Sequence, residues 1–308
     1  MEMNKKVIVC VPTYCEPEKV TKYLESCNFI KYRPFQLIII NANPGDKTSK
    51  IIKQEKKLRD YEIVEVCGQN DEFWSASVNR GLRLIAENAK PEDYILISNI
   101  DIIFDTDIVS LLLEQALKQG NCQMGAISTS NDHAISSGVQ VKSWLATSTS
   151  HPYAGVDIEI IPNGLLIKVD YLPTRCMLFS VEALAKVGVI SDKWLPHYGA
   201  DYEFSHRLAK AGYTPYIYTG VSIKVDKQNT GKSVYTHQSS FGERLSNIMD
   251  IKNPSNLKFR INFVLLVYPV YAIPTAILAY LVRTIIEMIL DKKQIFYLFG
   301  QKERGFSE

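Results

Sequence analysis

Apolar and polar residues follow two different rhythms along the first hundred positions, and the switches between them predict the elements. Val7 to Val11 is an unbroken, mostly β-branched run that stops at Pro12, the pattern of a strand buried on both faces. From Glu16 to Phe29 the period lengthens, placing Val20, Tyr23, Leu24 and Cys27 on one helical face. Phe35 to Ile40 predicts a second buried strand, and the Pro44-Gly45 pair that follows marks a turn. Thr48 to Leu58 predicts a helix and Glu62 to Val66 a third strand. Trp74 to Asn88 predicts a helix with Val78, Leu82 and Ile85 in register, and Tyr94 to Ser98 a fourth strand.

Strands alternating with helices at this spacing predict an α/β fold, a parallel sheet with helices on both faces and right-handed crossovers. Ligands bind such sheets beyond the carboxyl ends of the strands. Polar candidates stand there: Thr13 after the first strand, Asn41 after the second, Asn99 and Asp101 after the fourth. No Gly-rich dinucleotide or Walker loop follows the first strand, which argues against those enzyme classes. Gly125 to Asp170 is rich in Ser, Thr and Gly and reads as loops and short strands shaping an acceptor side. Leu178 to Lys186 and Asp201 to Ala211 read as helices, and Tyr213 to Val225 as strand.

The C-terminal part changes character. Ile261 to Val282 holds 22 residues without a charge, enough to span a bilayer, but Pro269 and Pro274 interrupt it. Two shorter pieces are expected, about Asn256 to Tyr268 and Ile273 to Leu290. They would lie in a membrane interface, with Tyr268, Tyr271 and Tyr280 at headgroup depth and Lys292 and Lys293 near anionic lipid. A buried helical hairpin within a homodimer is the alternative. Residues 1–245 are thus expected to form the catalytic domain and 246–308 a membrane-associating helical segment.

Composition narrows the class further. The 308 residues carry 35 basic and 33 acidic side chains, so no concentrated basic face argues for nucleic acid. The six cysteines form no C-x-x-C pair and read as buried free thiols of a reducing compartment. The polar Met1 to Lys6 leads directly into a strand, so the globular part is expected to be cytosolic.

The segments with candidate chemistry are three. Asp101, at the end of a strand, can hold a divalent cation against a diphosphate, or simply cap a turn. Asp201 and Glu203 open a helix after Leu195-Pro-His-Tyr-Gly-Ala. One of them can reach a site as a base while the other holds Arg207, or both can be ordinary N-terminal charges. In Gly68 to Gly81, Asn79 and Arg80 can contact phosphate or base, whereas Trp74 reads first as core packing. The five histidines form no metal-site spacing; His197, four residues before Asp201, is the one best placed.

The ordered set Val-Pro-Thr-Tyr14, Ile-Asn41, Trp74 to Gly81, Asn-Ile-Asp101, Gly-Ala-Asp-Tyr-Glu-Phe204 and Lys-Ala-Gly-Tyr213 resembles the family 2 glycosyltransferases over roughly residues 5 to 230. The resemblance implies a GT-A fold, Rossmann-like and mostly parallel, and metal-dependent inverting transfer from a nucleotide sugar, UDP- or dTDP-linked. It implies Mg2+ or Mn2+ on Asp101, with Asp201 as the catalytic base. Donor contacts are then expected from Pro12, Thr13, Tyr14, Asn41, Gly68, Trp74, Asn79 and Asn99. Acceptor-side or supporting positions are His197, Tyr198, Glu203 and Arg207. Bacterial surface-glycan enzymes of this type imply a lipid-linked glycan acceptor at the cytoplasmic face of the membrane. The chain departs from the family in three places: Asn99-Ile-Asp101 keeps a single carboxylate, Asn41 stands where Asp is common, and no His follows the last strand until His237. Asn-x-Asp is similar to the rhamnosyltransferase-like members. Two other classes stay open: a sugar-phosphate nucleotidyltransferase, and a catalytically silent scaffold that binds a nucleotide sugar at the membrane.

Overall fold

The computed structural model describes residues 5–135, 137–226, 242, 245 and 248–289, so His237, Lys292 and Lys293 lie outside the described residues. The strands are β1 (Val7–Thr13), β2 (Phe35–Asn41), β3 (Glu62–Cys67), β4 (Tyr94–Ser98), β5 (Ile102–Ile103), β6 (Cys122–Ser130), β7 (His133–Ala134), β8 (Gln140–Ser143), β9 (Ser148–Ser150), β10 (Leu166–Lys168), β11 (Cys176–Ser180) and β12 (Thr214–Val225). The helices are α1 (Pro17–Ser26), α2 (Thr48–Glu55), α3 (Trp74–Asn88), α4 (Ile108–Gln119), α5 (Val181–Val187), α6 (Ala200–Lys210), α7 (Leu257–Val267) and α8 (Ile273–Ile289).

The main sheet runs β10-β12-β6-β11-β4-β1-β2-β3. β1 pairs in parallel with β2 and β4, as the alternating pattern predicts. Its residues divide between two cores: Val7, Val9 and Val11 face one layer, Ile8 and Cys10 the other. Both faces are therefore dry, which is why the strand reads as an unbroken apolar run.

The sheet is not wholly parallel. Cys176–Ser180 enters between β4 and β6 and runs antiparallel to both, so the helix expected from Leu178 begins only at Val181. Met177 and Leu178 are buried on both faces of that position, and tertiary pairing overrides the local helical spacing. Ser180 then caps α5 by accepting from the Ala183 N–H at 3.2 Å. β6 occupies the first part of the stretch expected to be irregular. Its polar residues are buried because each finds a partner: Gln123 Nε2 donates to Ser205 O at 2.9 Å and to Tyr213 O at 2.8 Å. α4 was not predicted, although Ile108, Val109, Leu112, Leu113 and Ala116 form its buried face between an Asp107 cap and Gly120.

The C-terminal pieces separate at Pro269, as expected. α7 contributes Phe259 to the core beneath the sheet, and Val264, Val267 and Tyr268 join Val139 and Tyr171 in a third cluster covered by Ala272 of the connecting turn and Ala276 of α8.

Helix α3 lies unusually close to the sheet at Gly81, where an added Cβ would stand 2.5 Å from Cys10 Sγ and 2.9 Å from Ile40 Cδ1. Gly81→Ala is expected to lower stability by about 1–3 kcal/mol through overpacking, read by chemical denaturation.

Candidate active site

Thr13 and Asn41 stand opposite each other in the β1–β2 register, at the carboxyl ends of their strands. They differ in what their side chains do. Thr13 is buried and its Oγ1 has no hydrogen-bond partner, so its capacity is unused. Asn41 is spent inside the protein: Nδ2 donates to Ser49 Oγ at 3.1 Å and Glu65 Oε1 at 3.0 Å, and Oδ1 accepts from the Asn43 N–H at 3.1 Å. Gly68 belongs to the same frame. Its N–H donates to Asn41 O at 2.8 Å, and a Cβ there would approach Ala42 Cα to 2.9 Å. Pro12 is enclosed within β1, whereas Tyr14 stands half in solvent at the rim.

Beyond β4 the chain turns through Asn99, Ile100 and Asp101. Trp74 Nε1 donates to Asn99 Oδ1 at 3.3 Å, so the indole steadies this turn as well as packing on the core. Asp101 is 7% exposed, and its Oδ1 has no partner. Burial raises its pKa; the positive charges of Arg175 and Lys19 oppose that rise, and Glu16 adds to it. The Asp226 N–H donates to Asp101 O at 2.7 Å, and β5 pairs with the end of β12 at Ile102 and Val225. Two residues distant in sequence are thereby joined. Asp226, just after β12, uses its carboxylate to hold Lys22 Nζ at 3.1 Å. A cavity of about 410 Å³ adjoins it, lined also by Ser130, Asp132 and Lys224.

Asp201 lies in the first turn of α6, which starts from Gly199 in a left-handed conformation (φ 78°). Protein atoms crowd the carboxyl, and that desolvation raises its pKa to about 6; backbone N–H groups of Tyr202 and Thr174 and the charge of Arg175 restrain the rise. Arg175 is the residue that sequence reasoning missed. Its charge acts on Asp101 and Asp201 and also depresses the pKa of His151, behind the effect of burial. It sits just before β11, the strand misread as helix, so its position was not legible.

The remaining candidates frame the site. Arg207 Nε donates to Glu203 Oε1 at 2.8 Å, and its Nη2 donates to Val189 O at 3.0 Å, so the pair ties α6 to the loop after α5. Glu203 is thus the acid of the two that holds Arg207, and this pair supports α6. Asn79 is wholly buried: Nδ2 donates to Ile190 O at 2.8 Å and Oδ1 accepts from the Ile190 N–H at 2.9 Å. It and Asn41 hold loops with the groups that the donor reading assigned to ligand. His197 packs edge-on against Tyr198 with ring centroids 4.5 Å apart; its Nδ1 is buried without a partner, and burial holds its pKa down. Ser75 Oγ donates to Leu195 O at 2.7 Å, linking α3 to this loop.

Among the described residues no group of three His, Cys, Asp or Glu gathers as a metal site. A hard divalent cation still fits Asp101, because Mg2+ sites use one or two carboxylates and take further ligands from phosphate and water. The unpartnered Oδ1 is the atom such an ion would meet.

The mixed α/β sheet and its flanking helices have the GT-A architecture. Residues 8–188 match the sequence profile of Glycosyl transferase family 2, and the chain belongs to that family. The matched span includes Asp101 and ends before Asp201. No curated protein matches the sequence. Among solved structures, S. aureus TarS is similar with a TM-score of 0.52 at 10% identity, over 97% of this chain and 46% of that one. GalNAc-T7, solved with UDP, GalNAc and Mn2+, gives a TM-score of 0.56 at 10% identity, over 97% and 56%. The chain thus spans about half the length of either.

Asn79→Ala leaves both polar groups of Ile190 unpaired. It is expected to cost about 2–4 kcal/mol in urea unfolding, with nucleotide affinity of the folded fraction unchanged in calorimetry.

Proposed function

We propose that this protein transfers a hexosyl or deoxyhexosyl group from a UDP- or dTDP-sugar to an acceptor hydroxyl, with inversion, and that Asp201 is the base. The observation that carries the reading is the Asp201 carboxyl, whose pKa of about 6 suits proton abstraction near neutral pH and whose neighbour Arg175 also acts on Asp101. In a single displacement the acceptor oxygen bonds to the anomeric carbon while the bond to the diphosphate breaks. Asp201 accepts the hydroxyl proton, and the nucleoside diphosphate leaves. Thr13 and Tyr14 border the nucleotide, and Trp74 keeps the Asn99–Asp101 turn in place beneath the diphosphate. Arg175 offers positive charge toward the leaving group, offsetting the single carboxylate of Asn99-Ile-Asp101. A divalent cation, if held at Asp101, would neutralise diphosphate charge. The Mn2+ and UDP of the GalNAc-T7 structure support that choice of ion and donor. His197 and Tyr198 lie on the loop leading to Asp201 and border the acceptor, which we assign to a lipid-linked glycan of bacterial surface polysaccharide.

A thermal-shift screen of nucleotide sugars with Mg2+ or Mn2+ identifies the donor, and product analysis tests the class. Nucleoside diphosphate is expected; pyrophosphate would mark a nucleotidyltransferase, and no turnover with any bound donor would mark a scaffold. Asp201→Asn is expected to retain donor binding and lose transfer by about 10² or more. Because relieving a desolvated carboxylate favours the fold, that variant should melt no lower than the wild type at pH 8. In the wild type only ionised Asp201 accepts the proton, so kcat/KM should fall about tenfold per pH unit below about 6 and level off above it. Asp101→Ala should abolish the metal-dependent part of UDP or dTDP binding measured by calorimetry, leaving an affinity that a chelator does not change.

A further inference from the structure

The polarity of helix α8 is reversed relative to a helix that faces water. Its inner side, turned toward α7 and the third core cluster, carries Ala276, Tyr280, Thr284 and Glu287. Glu287 is paired there with Arg260 of α7 through bonds of 3.0 and 3.1 Å, with both side chains largely buried. Arg260 also donates to Thr284 Oγ1 at 3.4 Å and Ser255 Oγ at 2.7 Å. The outer side carries Leu278, Leu281, Val282, Ile285 and Ile289, spaced as one helical stripe. Leu278 is 61% exposed, Ile285 54% and Ile289 66%. A surface helix in water buries its apolar stripe and exposes its charges; here the ion pair is inside and the leucines are outside.

Exposed apolar residues continue around the end of the hairpin. Val270 and Tyr271, in the connecting turn, are 83% and 68% exposed, and Leu265 of α7 is exposed as well. A facing protein copy covers one side, whereas an apolar medium covers the stripe, the turn and α7 together. Val270–Ile289 is long and apolar enough to cross a membrane by composition (mean hydropathy 1.6). Spanning would require Glu287 to leave Arg260 and enter hydrocarbon unpaired, at a large desolvation cost.

We propose that α8 and the preceding turn lie in the plane of a lipid bilayer, apolar stripe inward, as a monotopic docking surface. Arg283, exposed on the same helix, can extend its charged head to the phosphates while its stem stays among the chains. The docked helix bears directly on the acceptor side of the cleft. Asn262 Nδ2 of α7 donates to Trp194 O at 2.8 Å, and the Phe263 ring lies 3.3 Å from where a Cβ of Gly199 would stand, at the start of the Asp201 helix. Bilayer, α7 and the loop from Trp194 to Asp201 thus form one stack.

The test is sedimentation of the full chain with phosphatidylcholine vesicles, with and without phosphatidylglycerol, and needs no turnover, so it is independent of the proposed reaction. Binding to both vesicle types is expected. The double variant Leu278→Glu, Ile285→Glu should lose about tenfold or more in vesicle affinity while keeping the melting temperature, since both side chains already face outward. Leu58→Glu, an exposed site on the catalytic domain, should bind as wild type. Binding that survives the double variant, or that occurs only with phosphatidylglycerol, overturns the apolar docking surface. A lipid-free dimer that the double variant splits, without vesicle binding in the parent, assigns the stripe to a second copy instead. Resistance of the cellular protein to alkaline carbonate extraction would mark a spanning helix and overturn the in-plane geometry.

Discussion

Two carboxylates, Asp101 after β4 and Asp201 in the first turn of α6, both raised in pKa by desolvation and both under the charge of Arg175, set the terms for much of this fold. A carboxylate removed from water is tolerated only where charge or hydrogen bonds compensate it. Asp101 reaches its place because β4 is central and its turn is clamped by β5 against the end of β12. Asp201 reaches its place because Gly199 permits the left-handed entry to α6. Arg175, whose charge acts on both, immediately precedes the antiparallel strand β11, which is inserted between β4 and β6.

The polar residues around this pair divide by whether their hydrogen-bonding capacity is already used. Asn41, Asn79 and Arg207 are saturated by protein partners and hold, respectively, the turn after β2, the backbone of Ile190, and α6 against the loop after α5. Thr13 Oγ1, Asp101 Oδ1 and His197 Nδ1 are buried and unpartnered. Buried polar atoms without partners are uncommon in folded proteins, so each of these is free to meet a polar ligand. Rigid framing by the saturated set is what lets the unsaturated set remain so.

The C-terminal hairpin is continuous with the catalytic core. Phe259 enters the layer beneath the sheet, and Trp144 meets Tyr268 edge-on at 4.8 Å and His206 edge-on at 6.2 Å between ring centroids. The Arg260–Glu287 ion pair of α7 and α8 is directed inward, and the outer stripe of α8 is exposed. Asn262 of α7 donates to Trp194 O, on the loop that leads to His197 and Asp201.

Elements whose form depends on short-range pattern were legible from the chain alone. β1 to β4 and α3 follow from runs and periods within one segment, and the break between α7 and α8 follows from a proline that lacks a donor at Pro269. Family membership was legible too, from the order of short motifs, as were the ends of strands at which Thr13 and Asp101 would stand. The roles of individual polar side chains were not. Asn79 and Asn41 look as suited to a nucleotide as Thr13 does until Ile190 and Glu65 are brought against them. Arg175 means nothing until β11 sets it beside two acids, one far before it in sequence and one after. Local periodicity even pointed the wrong way at Leu178, because pairing with β4 and β6 outweighs an intrinsic preference worth a fraction of a kcal/mol per residue. Hydrophobic period is a property of neighbouring residues and so is written along the chain; which hydrogen bonds and charges are satisfied depends on groups distant in sequence, and only the tertiary structure decides that.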